Sequence, residues 1–146
     1  MTGRPPSVTI VRRIKASPAS IWAAITQPRL MMQWWGPDAG PTLSAEADVR
    51  PGGRFSIVFR LLNGDEHNPT GVYREVVPEK RLVFTWDWPG MPERESLVTF
   101  LLEPFDGGAE LTLIHEHLPD EDARRSHEAG WSGLLDKLPA FLECAE

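Results

Sequence analysis

A chain of 146 residues with 41% hydrophobic and 25% charged residues fits one globular domain over 1–146, able to bury roughly two-thirds of its unfolded surface; it is neither disordered nor fibrous. A net charge of -6 and a pI near 5.2 argue against a nucleic-acid partner, and the one basic cluster, Arg4, Arg12, Arg13 and Lys15, reads as a solvated tail and strand face. Cys144 is the single cysteine, which excludes an internal disulfide and a cysteine-rich zinc site.

The first strand is 8-VTIVRRI-14, rich in β-branched residues. Ser17 then offers an N-cap and Pro18 a first helical position, so 17-SPASIWAAITQP-28 reads as a short amphipathic helix. Residues 29–34 add a turn or two of helix, which Gly36-Pro37 must stop. Neighbouring residues on a helix or strand point apart, so Trp34 and Trp35 cannot both face one core. Trp35, next to the helix-breaking pair, is expected to turn toward a different surface.

Strands follow at regular spacing. The stretch 42-TLSAEADV-49 leads into 54-RFSIVFRLL-62, whose alternate residues Phe55, Ile57, Phe59 and Leu61 make an apolar face. Asn63-Gly64 predicts a tight two-residue hairpin turn with both central residues at positive φ, followed by a strand from about His67 to Val77. Arg60, Arg74 and Glu75 are expected on solvent faces. In 81-RLVFTWDW-88 alternation puts Leu82, Phe84, Trp86 and Trp88 on one side; Pro89-Gly90 turns the chain, and 95-ESLVTFLLEP-104 and 109-AELTLIHEHL-118 complete a meander.

Asp120 caps a final long helix with Glu121 and Asp122 in its first turn, and His127, Trp131, Leu134, Leu135, Leu138, Phe141 and Leu142 recur at helical spacing. Pro139 should kink its last turns, and Gly130 and Gly133 leave little side chain beside Trp131. Strand, short helices, antiparallel strands and long helix in this order describe an α+β domain in which a curved sheet wraps the terminal helix.

The stretches 17-SPASIWAAIT-26, 34-WWGP-37, 51-PGGRF-55, 71-GVYREVVPEKRLVFTWDW-88 and 113-LIHEHLPDEDARRSHEAGWSGLLDKL-138 together resemble the activator of heat-shock-protein-90 ATPase homologue family, within the START/Bet v 1-like (SRPBCC) superfamily. His117 stands where a glycine would be unremarkable. The resemblance implies a helix-grip fold: a curved antiparallel sheet of about seven strands around the C-terminal helix, with two short helices after strand 1. It also implies a cavity between sheet and helix for a hydrophobic or amphipathic small molecule. The aromatic sheet faces and the helix bearing Trp131 are compatible with such a space, and the candidate wall is Trp35, Phe55, Phe59, Phe84, Trp86, His115, Trp131 and Leu135.

Two other functions stay open on the resemblance: a co-regulator of a chaperone ATPase, and an aromatase/cyclase- or hydrolase-like enzyme using His115 or Glu116 as acid or base. His115 and His117, two apart on a strand, share a face and form half of a metal site, but no third ligand is evident, so no metal and no cofactor are expected. No catalytic residue is assigned, since neither a G-x-S-x-G elbow nor a phosphate loop is present. Arg4-Pro5-Pro6 stands where a secretory signal needs an apolar run, and no stretch approaches about 18 apolar residues. The expected location is therefore cytoplasmic, without a membrane partner. A homodimer is compatible with the implied fold.

Overall fold

In the computed structural model, which describes residues 7–35, 42–88 and 91–145 and the side chains of 7–35, 42–88 and 96–142, the chain opens with β1 (Val8–Ile14). Val8, Ile10 and Ile14 face inward. At Ser17 the side chain accepts the Ser20 N–H at 3.1 Å and Pro18 takes the first helical position, so α1 (Pro18–Thr26) starts there. Extended Gln27 closes α1 and opens α2 (Pro28–Trp34), again with proline at its start. Trp35 still donates its N–H to Met31 O at 3.0 Å, but at φ -65 and ψ 148 it has already left the helix. Gly36-Pro37, expected to stop the helix, lies outside the described residues, as does the expected Pro89-Gly90 turn.

The strands are β2 (Thr42–Ala47), β3 (Arg54–Arg60), β4 (Glu66–His67), β5 (Thr70–Val77), β6 (Arg81–Trp88), β7 (Met91–Phe105) and β8 (Gly108–Glu116). They pair antiparallel in the order β1-β8-β7-β6-β5-β3-β2, with the two-residue β4 beside β3. Register shifts between Thr42 and Ser44, Tyr73 and Glu75, and Trp86 and Trp88 increase local twist and help curl the sheet. The long helix α3 (Glu121–Ala145) starts where Asp120 Oδ1 accepts the Ala123 N–H at 2.8 Å, and Glu121 and Asp122 complement its dipole. The result is the helix-grip α+β fold: Ile21, Ile57, Leu82, Phe100, Leu113, Leu135 and Leu138 meet in one core between the sheet and the helices.

Several local expectations are corrected. The hairpin after β3 is not a two-residue turn: Gly64 N–H donates to Leu61 O at 2.9 Å and Leu61 N–H to Asp65 O at 2.8 Å, which makes a three-residue loop. Of the predicted pair only Gly64 takes positive φ, at 97, while the Asn63 side chain accepts the Asp65 N–H at 2.8 Å. The strand expected over 67–77 is split at Asn68-Pro69, because proline has no N–H for the ladder. Asn68 fills the gap by donating to Ile57 O at 2.9 Å and Ser56 Oγ at 3.0 Å. On β6, Val83 and Thr85 are buried along with Leu82, Phe84 and Trp86 of the predicted inner face, while Trp88 is half-buried.

The last strand ends at Glu116, and His117 takes φ 63, a left-handed conformation that glycine adopts at least cost. His115 and His117 therefore do not share a strand face: the first is fully buried and the second exposed. Pro139 lies within α3 without ending it. Arg60, Arg74 and Glu75 are exposed, with Arg60 paired to Glu66 and Glu75 to Arg81. Among the described residues, no helix is long and apolar enough to cross a membrane.

Leu138 is completely buried where α3 meets the core. Leu138→Ala is expected to lower the unfolding free energy by about 2–5 kcal/mol in urea denaturation, through lost transfer energy and the cavity left behind. Asp120→Ala, which removes only a cap, should cost about 1 kcal/mol in the same measurement.

Candidate functional site

Contrary to the expectation that Trp34 and Trp35 cannot both face one core, both are buried in it, with centroids 5.5 Å apart, because Trp35 leaves the helix in extended backbone; they differ only in their further partners. Trp34 donates its indole N–H to Ala24 O at 3.0 Å and stacks on Phe141 with centroids 6.3 Å apart, tying α1, α2 and α3 together. Trp35, released into extended backbone, packs edge-on against Trp131 at 6.0 Å and 82°. Its carbonyl accepts the Thr42 hydroxyl at 2.6 Å, which holds this junction to β2.

Trp131 is placed by a hydrogen-bonded chain that runs through three strands. Its Nε1–H donates to His115 Nδ1 at 2.9 Å. An indole N–H can only donate, so Nδ1 carries the lone pair and the imidazole proton sits on Nε2. Nε2–H then donates to Ser96 Oγ at 2.6 Å, and the Ser96 hydroxyl donates to Trp86 O at 3.3 Å. His115 is thus fixed as the neutral Nε2–H tautomer, with no lone pair or open site left for a ligand. Burial, and secondarily the nearby charge of His127, lower its pKa from 6.5 to about 2.

His127 lies perpendicular to His115 at 4.8 Å between centroids. Its Nδ1 is 2.7 Å from Ala123 O, and a carbonyl only accepts, so Nδ1 carries a proton. Among the described residues no group of three or more His, Cys, Asp or Glu is arranged to hold a metal ion.

Beside this network lies an open pocket of about 310 Å³ lined by Trp35, Phe59, Leu61, His67, Trp86, Trp88, Ser126, His127, Gly130, Trp131 and Leu134. β3 and its hairpin supply one side, β6 the floor, α3 the opposite side and the end of α2 a corner. The aromatic rings touch in sequence: Phe59 with His67 at 5.7 Å, His67 with Trp88 at 5.8 Å, Trp88 with Trp86 at 5.8 Å, Trp86 with Trp131 at 5.0 Å, and Trp131 with Trp35 at 6.0 Å.

Of the residues expected on a cavity wall, Trp35, Phe59, Trp86 and Trp131 line this pocket. Phe55, Phe84, His115 and Leu135 do not; they are buried behind it. Phe55 and Phe84 pack against one another at 5.1 Å in the core under β3 and β6. On α3 it is Leu134, with Ser126, His127, Gly130 and Trp131, that lines the pocket, while the adjacent Leu135 is fully buried in the core. Alternation on β3 and β6 already marked Leu61 and Trp88, and Gly130 was conspicuous beside Trp131. His127 shares the helical spacing of Trp131 and Leu134, whereas His67 and Ser126 carry no local signal and reach the pocket only through tertiary packing. Glu116 alternates with inward-facing His115, and neither of these two candidates for acid or base lines the pocket.

Residues 15–143 match the family model described as Activator of Hsp90 ATPase homolog 1-like protein. No curated protein matches the chain. Among solved structures, protein CV1439 from Chromobacterium violaceum is 28% identical, with 94% of this chain and 97% of that one covered and a TM-score of 0.85. CalU16 from Micromonospora echinospora is 27% identical over 93% of this chain and 75% of that one, with a TM-score of 0.72. An AHSA1-like protein from Aeromonas hydrophila shares the fold at 22% identity, covering 95% of this chain and 93% of that one, with a TM-score of 0.83.

The buried neutral imidazole links acid to stability. With a folded-state value of about 2 against an ordinary 6.5, the unfolded chain takes up this proton first as pH falls. The contribution is complete above pH 6.5 and is lost toward pH 2, by roughly 1 kcal/mol per pH unit. His115→Gln should therefore be less stable at neutral pH but flatter in unfolding free energy between pH 6.5 and 5 by urea titration. Equal slopes for the two proteins would contradict the neutral assignment.

Proposed function

The chain belongs to the Activator of Hsp90 ATPase homolog 1-like family, and from that premise we propose that it acts, as one helix-grip domain, as a binding module for a hydrophobic or amphipathic small molecule. The observation that carries the reading is the open, aromatic-lined pocket between β3, β6 and α3. A volume of about 310 Å³ lies at the small end of the range for ligand sites, roughly 300–1,000 Å³, and favours a compact ligand over one that must be swallowed whole and long.

The neighbouring polar chemistry supports binding over reaction. His115 is saturated by Trp131 and Ser96, and its conjugate acid is unfavourable at any ordinary pH, so it serves as a brace for the wall. Burying an aromatic ligand face against these rings would yield about 25 cal/mol per Å² of apolar surface, enough for useful affinity without ionic contacts.

Gly130 faces the pocket from α3, where a larger side chain is favoured by helix propensity and would occupy the space. The neutral dye N-phenyl-1-naphthylamine should brighten on adding the native protein, and Gly130→Leu should weaken its binding about tenfold or more while leaving the melting temperature unchanged or higher. A dye that ignores the folded protein, or binds Gly130→Leu equally well, would count against the pocket as a binding site.

A further inference from the structure

The lining that supports ligand binding has an uneven polar character. Among the described residues that line the pocket, none is Asp, Glu, Lys or Arg. Two of its indoles also turn their donors away. Trp131 spends its N–H on buried His115, and the Trp86 N–H is closed off from solvent and has no hydrogen-bond partner among the described residues. His127 likewise commits its Nδ1–H to Ala123 O. What Trp86 and Trp131 present to the pocket is ring carbon.

The rings are set at steep angles. Trp35 and Trp131 meet at 82°, and Trp86 and Trp88 at 88°, forming two near-perpendicular corners along one continuous aromatic wall. Indole faces carry negative electrostatic potential and attract cations, Trp most strongly among the aromatic residues. Among charged side chains close in sequence to the lining, Arg60 pairs with Glu66 at 3.0 Å, Arg124 with Glu121 at 2.6 Å and Glu128 at 3.2 Å, and Arg125 with Asp122 at 2.8 Å, while Asp87, between Trp86 and Trp88, accepts the Thr85 hydroxyl at 3.1 Å. The protein as a whole, at -6, draws cations toward itself.

From this we infer that the pocket recognises a quaternary ammonium group attached to a compact apolar body, held by the faces of Trp35, Trp86, Trp88 and Trp131. The inference rests on the binding reading above and narrows its ligand class. A primary ammonium is disfavoured because its N–H groups would give up water with no carboxylate among the described wall residues to replace it. A quaternary nitrogen has no N–H to satisfy and is weakly hydrated. The open mouth lets its outer side stay in water.

The test compares benzyltrimethylammonium with neopentylbenzene, its neutral carbon isostere of nearly equal shape, and with benzylammonium, which carries hydrogens in place of the three methyl groups. Each is titrated into the native protein, following tryptophan fluorescence and indole N–H shifts by NMR. Benzyltrimethylammonium is expected to bind about tenfold tighter than the neutral isostere, with benzylammonium weaker still. Trp88→Leu, at a half-buried position, should lower the affinity for benzyltrimethylammonium far more than that for the neutral isostere and so erase most of the preference. Neutral and cationic isosteres binding alike, a preference that survives Trp88→Leu, or an equal loss of both in that variant would overturn the inference. If N-phenyl-1-naphthylamine binds the native protein and benzyltrimethylammonium does not, the ligand class is wrong while the binding reading stands. If neither binds, both fail.

Discussion

The hydrogen bond from Trp131 to His115 joins the long helix to the sheet inside the core. Both partners are buried, at 4% and 0% exposure, so the bond has no competing water. Its geometry determines the imidazole tautomer, and the tautomer in turn orients Ser96 toward the carbonyl of Trp86. Two walls of the pocket, one on α3 and one on β6, are thereby referred to a single neutral side chain on β8. Breaking one member would leave buried donors or acceptors without partners, which costs more than the bond itself contributes.

Around that brace the aromatic residues serve two purposes that a list of hydrophobic positions would not separate. Phe55, Phe84 and Phe100 fill the space under the sheet, with Phe84 in contact with both of the others. Trp35, Trp86, Trp88 and Trp131 stand one layer further out, where the filling stops and an open space begins. Their mutual edge-on contacts supply stability without needing the pocket to be full, since edge-to-face pairs gain from ring quadrupoles as well as from burial. The pocket can therefore persist without collapsing, because its walls lean on each other and on the core behind.

The surface charges have little part in this arrangement. Pairs such as Arg13 with Glu110 and Arg125 with Asp122 are exposed, and pairs of that kind contribute at most about 1 kcal/mol each. Buried His115, by contrast, carries no charge, because burial makes its protonation unfavourable.

Much of the fold was legible from residue order. Ser17-Pro18 and Asp120 signalled helix starts, alternation at 54–62 and 81–88 signalled strands, and the helical spacing of Trp131, Leu134, Leu138 and Leu142 signalled the packed face of α3. These are local properties: a cap, a period of two or a period of 3.6 acts within a few residues. The turn at 62–64 and the break at Asn68-Pro69 were less legible, since they depend on hydrogen bonds to a neighbouring strand. The site divided along the same line. Apolar aromatic residues could be placed on the inner face of their elements, but not assigned to core or pocket. His115 looked reactive in the sequence beside Glu116 and His117; in the fold it is a sealed brace. The sequence by itself determined which elements form and which side of each is apolar. Only the tertiary structure decided which of those side chains meet open space and which nitrogen of His115 holds the proton, because both depend on partners 16 and 19 residues away brought together by strand register and helix docking.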